Sequence, residues 1–250
     1  MNFVLVSKEM QGKFVGKAIV ITGATSGIGV ETARALSTTG ATLFLAACDL
    51  KKAETAPVGI LELGRGSLHR AAATTTLAKS DNRVNTLAKN AACQVDVHSR
   101  VVIVVSPAYH ARNLCESDKY HFQKGGYHYR LAFANCKLAN VYMANELDRR
   151  YGRKWLNATI LHTVSINTDL SRHLGSEFVG QNMSGKKILE ILTTPEHGAA
   201  ITVLAKVGRE WGNKGGKHRE SWEEEKGGED DNEAFGVGYT RQIYDPKKEE

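Results

Sequence analysis

Thr22-Gly23-Ala24-Thr25-Ser26-Gly27-Ile28-Gly29 carries three glycines directly after a β-branched apolar run and directly before a helical pattern. Glycines let backbone N–H groups close on an anion, and a helix N-terminus adds the positive end of its dipole, so this arrangement suits a pyrophosphate. The plain alternative is an ordinary glycine turn between a strand and a helix, a match that recurs by chance. Farther along, Ser106 ends a second apolar run, and Phe133 and Lys137 lie four residues apart on one face of a predicted helix. As bare residues, Ser106 reads as a strand-end serine capping the turn before Pro107, and Lys137 as a solvated helix lysine.

These residues need elements to hold them. Lys17 to Ile21 (KAIVI) predicts a buried parallel strand over Ala18 to Thr22; the pattern turns helical from Ile28 to Leu36, and Gly40 ends it. Further strands are predicted at Ala41 to Ala47, Val84 to Asn90, Arg100 to Val105 and Ala158 to His162. The helix with Phe133 and Lys137 closes with Arg149 and Arg150 in its last turn and Gly152 at C′. Thr194 is a good N-cap, with Pro195 at the first helical position, for a helix to Val207. Gly212 to Asp231, rich in Gly, Lys and Glu, reads as a solvated surface loop.

Three segments conflict with a regular alternation of strands and helices. The helix predicted over Lys51 to Leu63 holds Pro57 and Gly59 in its interior. An interior proline costs about 3 kcal/mol, so that helix should be broken or shortened. Gly66-Ser67-Leu68-His69 runs straight into Arg70 to Lys79, which predicts a truncated third strand. Only Ala91 to Ser99 separate the fourth and fifth strands. A parallel crossover ordinarily takes a dozen or more residues, usually with a helix, so an antiparallel hairpin or a gap in the sheet is expected.

The string TGATSGIG resembles the TGxxxGIG signature of the short-chain dehydrogenase/reductase family. Phe133 to Asn140 (FANCKLAN) with Val141 to Gly152 (VYMANELDRRYG) resembles that family's YxxxK helix, in its retinol-dehydrogenase-like and WW-domain-oxidoreductase-like branch and the fungal members in particular. The similarity covers residues 13–50 and 119–246. It implies one Rossmann-like domain over residues 1–250, a three-layer α/β/α sandwich with a mainly parallel sheet. Part of strand three and the helix between strands four and five are expected to be missing, leaving fewer than the usual seven strands. It also implies cofactor contacts from Gly23, Ser26, Gly27, Ile28, Gly29, Asn90, Lys137, Ile166 and Thr168. The catalytic positions are Ser106, which would hold the substrate carbonyl, Phe133, and Lys137, which would also bind the nicotinamide ribose.

The departures from the family pattern are specific. Phe133 stands where the family has the tyrosine that protonates the carbonyl oxygen, and loss of a positioned general acid typically costs about 10²–10⁴ in rate. Tyr129, one turn upstream, and Tyr109, just past Ser106, are candidate substitutes or else surface aromatics. Lys89-Asn90-Ala91-Ala92 replaces NNAG, and Thr163, Val164 and Ser165 replace Pro-Gly-Gly before Ile166-Asn167-Thr168. By comparison with the family, about 35 residues between strands four and five are gone, and with them the Asn of the proton relay and one of two interface helices. The end of strand two carries Ala47 and then Cys48 where close relatives have Arg: the absent carboxylate argues against NAD and the absent Arg weakens NADP, with Lys51 and Lys52 near enough to meet an extra phosphate or else a solvated first turn of the next helix. NADP(H) is therefore expected over NAD(H).

At 250 residues with 42% hydrophobic content, the chain can bury one substantial core. Thirty-three basic against 27 acidic residues give +6, spread without a basic block, which does not argue for nucleic acid. Cys48, Cys93, Cys115 and Cys136 form no CxxC, so neither a metal site nor a disulfide framework is expected. With no signal-like or membrane-spanning apolar stretch, a cytoplasmic protein is expected. The functional expectation is an NADP(H)-dependent oxidoreductase acting on a small-molecule carbonyl or secondary alcohol, impaired by Phe133, with the oligomeric state left open. The alternatives are a non-catalytic nucleotide-binding pseudoenzyme and a non-redox cyclase or isomerase on the same fold.

Overall fold

A computed structural model describes residues 10–46, 68–71, 86–89, 99–111, 129–154, 156–163, 165–166, 168, 192–212, 214–220, 223–224, 226–228 and 239–244. Its strands are β1 (Ala18–Thr22), β2 (Thr42–Ala46), β3 (Leu68–Ala71), β4 (Thr86–Lys89), β5 (Ser99–Val104), β6 (Leu156–His162), β7 (Lys217–Glu220) and β8 (Glu223–Glu224). They form one sheet in the order β3-β2-β1-β4-β5-β6-β7-β8. Every pairing is parallel except β7 with β8. The central strands AIVIT and SRVVIV are apolar on both faces, as a sheet covered on both sides requires.

Among the described residues the α-helices are α1 (Gly27–Ser37), α2 (Tyr129–Tyr151) and α3 (Pro195–Val207). Alternation along β5 shows which side each covers. Val101 and Ile103 pack with Leu138 and Val141 of α2, whereas Val102 packs with Ile201 and Ala205 of α3. The α3 side also holds α1: Ala33 and Leu36 meet Val203 and Val207 over Ile19, Ile21, Leu43 and Leu45. Each fully buried Leu or Ile contributes about 1.5–3 kcal/mol, and residues of this kind fill both sides. The result is a three-layer α/β/α sandwich with a mainly parallel sheet, as the sequence predicts.

Several boundaries match closely. β1 covers the predicted residues, α2 stops at Tyr151 before Gly152, and α3 starts at Pro195 with the Thr194 side chain accepting from His197 N–H. β3 is short, with four residues beside β2. The predicted helix over Lys51 to Leu63 and the connection at 90–98 lie outside the described residues.

Three expectations need correcting. β4 and β5 are adjacent and parallel, with Thr86 opposite Arg100 and Lys89 opposite Ile103, so there is neither a hairpin nor a gap. An extended chain reaches about 3.3 Å per residue. Nine residues therefore suffice to return along a four-residue strand and step across one strand spacing of about 4.8 Å. The sheet is not reduced below seven strands but has eight. Finally, the stretch read as a solvated loop contains β7 and β8, and His218 and Arg219 of β7 are buried.

Candidate functional site

The glycine turn joins β1 to α1. Ser26, the N-cap, is extended (φ −159°, ψ 165°) and its side chain makes no capping hydrogen bond. The first-turn N–H groups of α1 are thus not taken by the cap, and no acidic residue lies in that turn to repel an anion. Gly23 (φ 64°) and Gly27 (φ 54°) occupy the left-handed region. A Cβ at Gly29 would overlap the carbonyl oxygen of Gly23, and one at Gly27 would stand 3.1 Å from Thr168 Cγ2. The turn, the helix terminus and Thr168 therefore enclose a close backbone cradle, and this arrangement fits the pyrophosphate of a dinucleotide.

Ile166 belongs to the same corner. A Cβ on Gly198 of α3 would lie 3.0 Å from Ile166 Cδ1 and 3.2 Å from Ile28 Cγ1, so both isoleucines meet over that helix. Ile166 forms a bridge with Thr193, whose N–H donates to Ser165 O at 2.9 Å. The structure thus brings Gly23, Ser26, Gly27, Ile28 and Gly29 beside Ile166 and Thr168. Asn90, Cys48, Lys51 and Lys52 lie outside the described residues.

A second corner lies at the C-terminal end of β5. The Lys137 ammonium donates to Val104 O at 3.0 Å, two residues before Ser106, and stands 5.5 Å from the Phe133 ring centroid. Ser106 Oγ accepts from Ala108 N–H at 3.4 Å, the turn-capping contact that its place before Pro107 suggests. Lys137 thus joins Phe133 to the strand end that leads into Ser106, and the phenylalanine ring brings no exchangeable proton there.

Tyr109 does not serve as a substitute. It is neither a surface aromatic nor turned to solvent: it is fully buried, its hydroxyl sharing a hydrogen bond with His218 Nε2 at 3.1 Å. Burial pushes its phenol far up, so it holds its proton. The side chain of Tyr129 lies outside the described residues.

Around Tyr109 the structure assembles polar groups that the sequence reading did not bring together. His110 packs edge-on against it at 4.6 Å between ring centroids. His218 is held neutral, its pKa lowered to about 3 chiefly by burial. His162, the last residue of β6, faces Glu220 of β7 across the strand register, with Nδ1 3.3 Å from Oε1. The Glu220 carboxyl lies below the usual carboxylate range, chiefly through its hydrogen bond with His162. Lys217-His218-Arg219-Glu220 contains no apolar residue, so periodicity gives no strand signal. The strand alternation shows only in the structure: His218 faces the α2 side through Tyr109, while Arg219 lies over the Trp211 ring on the other side, 3.0 Å from Cζ to the centroid. Among the described residues, no group of three or more His, Cys, Asp or Glu side chains could hold a metal ion. None of the described helices is long and apolar enough to cross a membrane.

A mainly parallel sheet covered by helices on both faces, with a glycine turn at the head of its first helix, is the Rossmann-type arrangement. A model of the short chain dehydrogenase family matches residues 17–109. Short-chain dehydrogenase/reductase prx1 of Penicillium roqueforti is 31% identical over 281 aligned positions, covering 93% of this chain and 82% of the relative. That alignment is longer than the chain's 250 residues, so some residues of the relative have no counterpart here. Retinol dehydrogenase 12 of Bos taurus is 28% identical over 207 positions, covering 63% of this chain and 64% of the relative. Among solved structures, a short chain dehydrogenase from Burkholderia cenocepacia J2315 in complex with NADP shares the fold. Its TM-score is 0.61 at 18% identity, over 83% of this chain and 97% of that one. The chain belongs to the short-chain dehydrogenase/reductase family of oxidoreductases, which act on small molecules with a nicotinamide cofactor.

Proposed function

We propose that this protein is an NADP(H)-dependent oxidoreductase that reduces a small carbonyl compound or oxidises the corresponding secondary alcohol. The observation that carries the reading is the cradle of Gly23, Gly27 and Gly29, which puts a helix N-terminus and close backbone where a pyrophosphate would lie. When bound, the nicotinamide cofactor supplies or accepts the hydride. Gly23, Ser26, Gly27, Ile28 and Gly29 would hold its phosphates, with Asn90, Ile166 and Thr168 toward the nicotinamide end. Lys137 orients the nicotinamide ribose, and Ser106 donates a hydrogen bond to the substrate oxygen. Preference for NADP(H) rests on the absent carboxylate at Ala47-Cys48, on Lys51 and Lys52 nearby, and on the NADP complex among the structural neighbours.

Phe133 makes the protein a slow member of its class, because the ring keeps the shape of a tyrosine and loses the acid. It also favours a second reading, a nucleotide-binding pseudoenzyme or a non-redox cyclase or isomerase. NADPH titration followed by nucleotide fluorescence, with kinetics of Phe133→Tyr, separates the two. The first reading expects micromolar NADPH binding and a kcat for aldehyde reduction raised by about 10² in Phe133→Tyr. NADPH binding with no turnover in either form leaves the second, and no binding of NADPH or NADH to the folded chain refutes the oxidoreductase.

A further inference from the structure

We propose that His162, held by Glu220, gives and takes the proton at the substrate oxygen, the role that Phe133 cannot fill. This rests on the oxidoreductase reading above. His162 ends β6, and its ring lies on the side of Ala158 and Ile160, which pack under α2 with Leu138 and Val141. It is therefore on the face covered by the helix of Phe133 and Lys137. The neighbouring strand ends beside it: Val104 is opposite Leu161, Val105 N–H donates to Leu161 O at 2.9 Å, and Ser106 follows at once. In open α/β sheets the carboxyl ends of the strands are where ligands bind.

The second observation is the pairing. Glu220 accepts from Nδ1 of His162, which fixes the ring and leaves Nε2 as the exchanging atom. Nε2 makes no hydrogen bond to any described residue. The His162 side chain is 14% exposed, enough to recover a proton from water, and Glu220 is 41% exposed. The charged and titratable groups around the pair are His218 on β7, Tyr109 and His110 in the turn after β5, and Lys137 on α2.

The step balances. The carbonyl carbon takes hydride from the reduced nicotinamide, the C=O electron pair moves to oxygen, and oxygen takes the Nε2 proton of the His162 imidazolium. The carbonyl is reduced to an alcohol, the cofactor is oxidised, and neutral His162 is reprotonated from solvent.

The test uses the full chain, benzaldehyde as the probe substrate, and imidazole NMR beside kinetics. The proposal expects NADPH to shift the His162 resonances, and Glu220→Gln, which removes the carboxylate partner of Nδ1, to lower kcat by about 10-fold at unchanged NADPH affinity. His162→Gln should lower kcat by about 10² at unchanged NADPH affinity, and Phe133→Tyr should restore the rate in the His162→Gln background. Unmoved resonances on NADPH binding, bound NADPH without turnover, or a His162→Gln protein with wild-type rate each overturn it. Absence of NADPH binding instead removes the oxidoreductase reading itself. Should His162→Gln fail to fold, Glu220→Gln carries the same comparison.

Discussion

On the α1 and α3 side of the sheet the proposed cofactor cradle is made of backbone: three glycines, a helix terminus and Thr168 packed against Gly27. On the α2 side the proposed reacting corner is made of side chains: Ser106, Phe133, Lys137 and, on the same face of the sheet, the His162 and Glu220 pair. The two respond differently to substitution. A backbone site fails when any Cβ intrudes, so it survives whole or not at all. A side-chain site can lose one group, as at Phe133, while the ring, the helix and the packing around it persist.

The largest effect should come from breaking the backbone side. In Gly29→Ala the new Cβ overlaps Gly23 O, so the turn must open, and the NADPH Kd should rise at least about 100-fold, or about 2.7 kcal/mol. Isothermal titration would show it; retained affinity would mean that the cradle tolerates a side chain and the contrast fails.

Lys206 of α3 sharpens the contrast from within the same face. It is buried with no ion-pair partner among the described residues, and burial lowers its pKa to about 7. Below that pH it is charged in both folded and unfolded chains, so folding carries the full desolvation cost. Between about 7 and the ordinary 10.5 the unfolded chain holds a proton that the folded one lacks, and stability rises with pH. Lys206→Met should therefore stabilise by about 2 kcal/mol at pH 6, with the advantage shrinking as pH rises toward 10, read from urea denaturation.

On the α2 side the effect builds up with acid. His218 is kept neutral to about pH 3 when folded but protonates near 6.5 when unfolded. The unfolded chain binds more protons in that window, so stability falls as pH falls, by up to about 1.4 kcal/mol per unit. His218→Gln, which keeps an acceptor for the Tyr109 hydroxyl, should flatten the fall between pH 6.5 and 4 in thermal melts. An unchanged slope would place the acid sensitivity elsewhere.

What the sequence made legible follows the same division. β1, the turn and α1 can be read directly because apolar β-branched residues and glycines express local rules, and Thr194-Pro195 marks the start of α3. The glycine cradle and the meeting of Phe133 with Lys137 follow from those rules and helical spacing. The parallel β4–β5 pair was not legible, since the usual crossover length reflects habit and nine residues are long enough to reach. Nor was β7, whose polar residues are buried only because Tyr109 and Trp211, distant in the chain, supply their partners. The His162 and Glu220 pair shares that cause: one member ends a predicted strand, the other lies in a segment that looks like a loop.

The antiparallel strand at the end of the sheet has a consequence for the company the molecule keeps. A row of seven parallel strands would otherwise end on β7, with open N–H and C=O groups ready to template another chain. β8 covers part of that rim with Glu223 and Glu224, both exposed, and Glu224 is tied back to Lys217 by an ion pair. A second copy approaching edge to edge meets carboxylates of its own kind, so the strand guards solubility where the sheet would otherwise invite growth into a fibril.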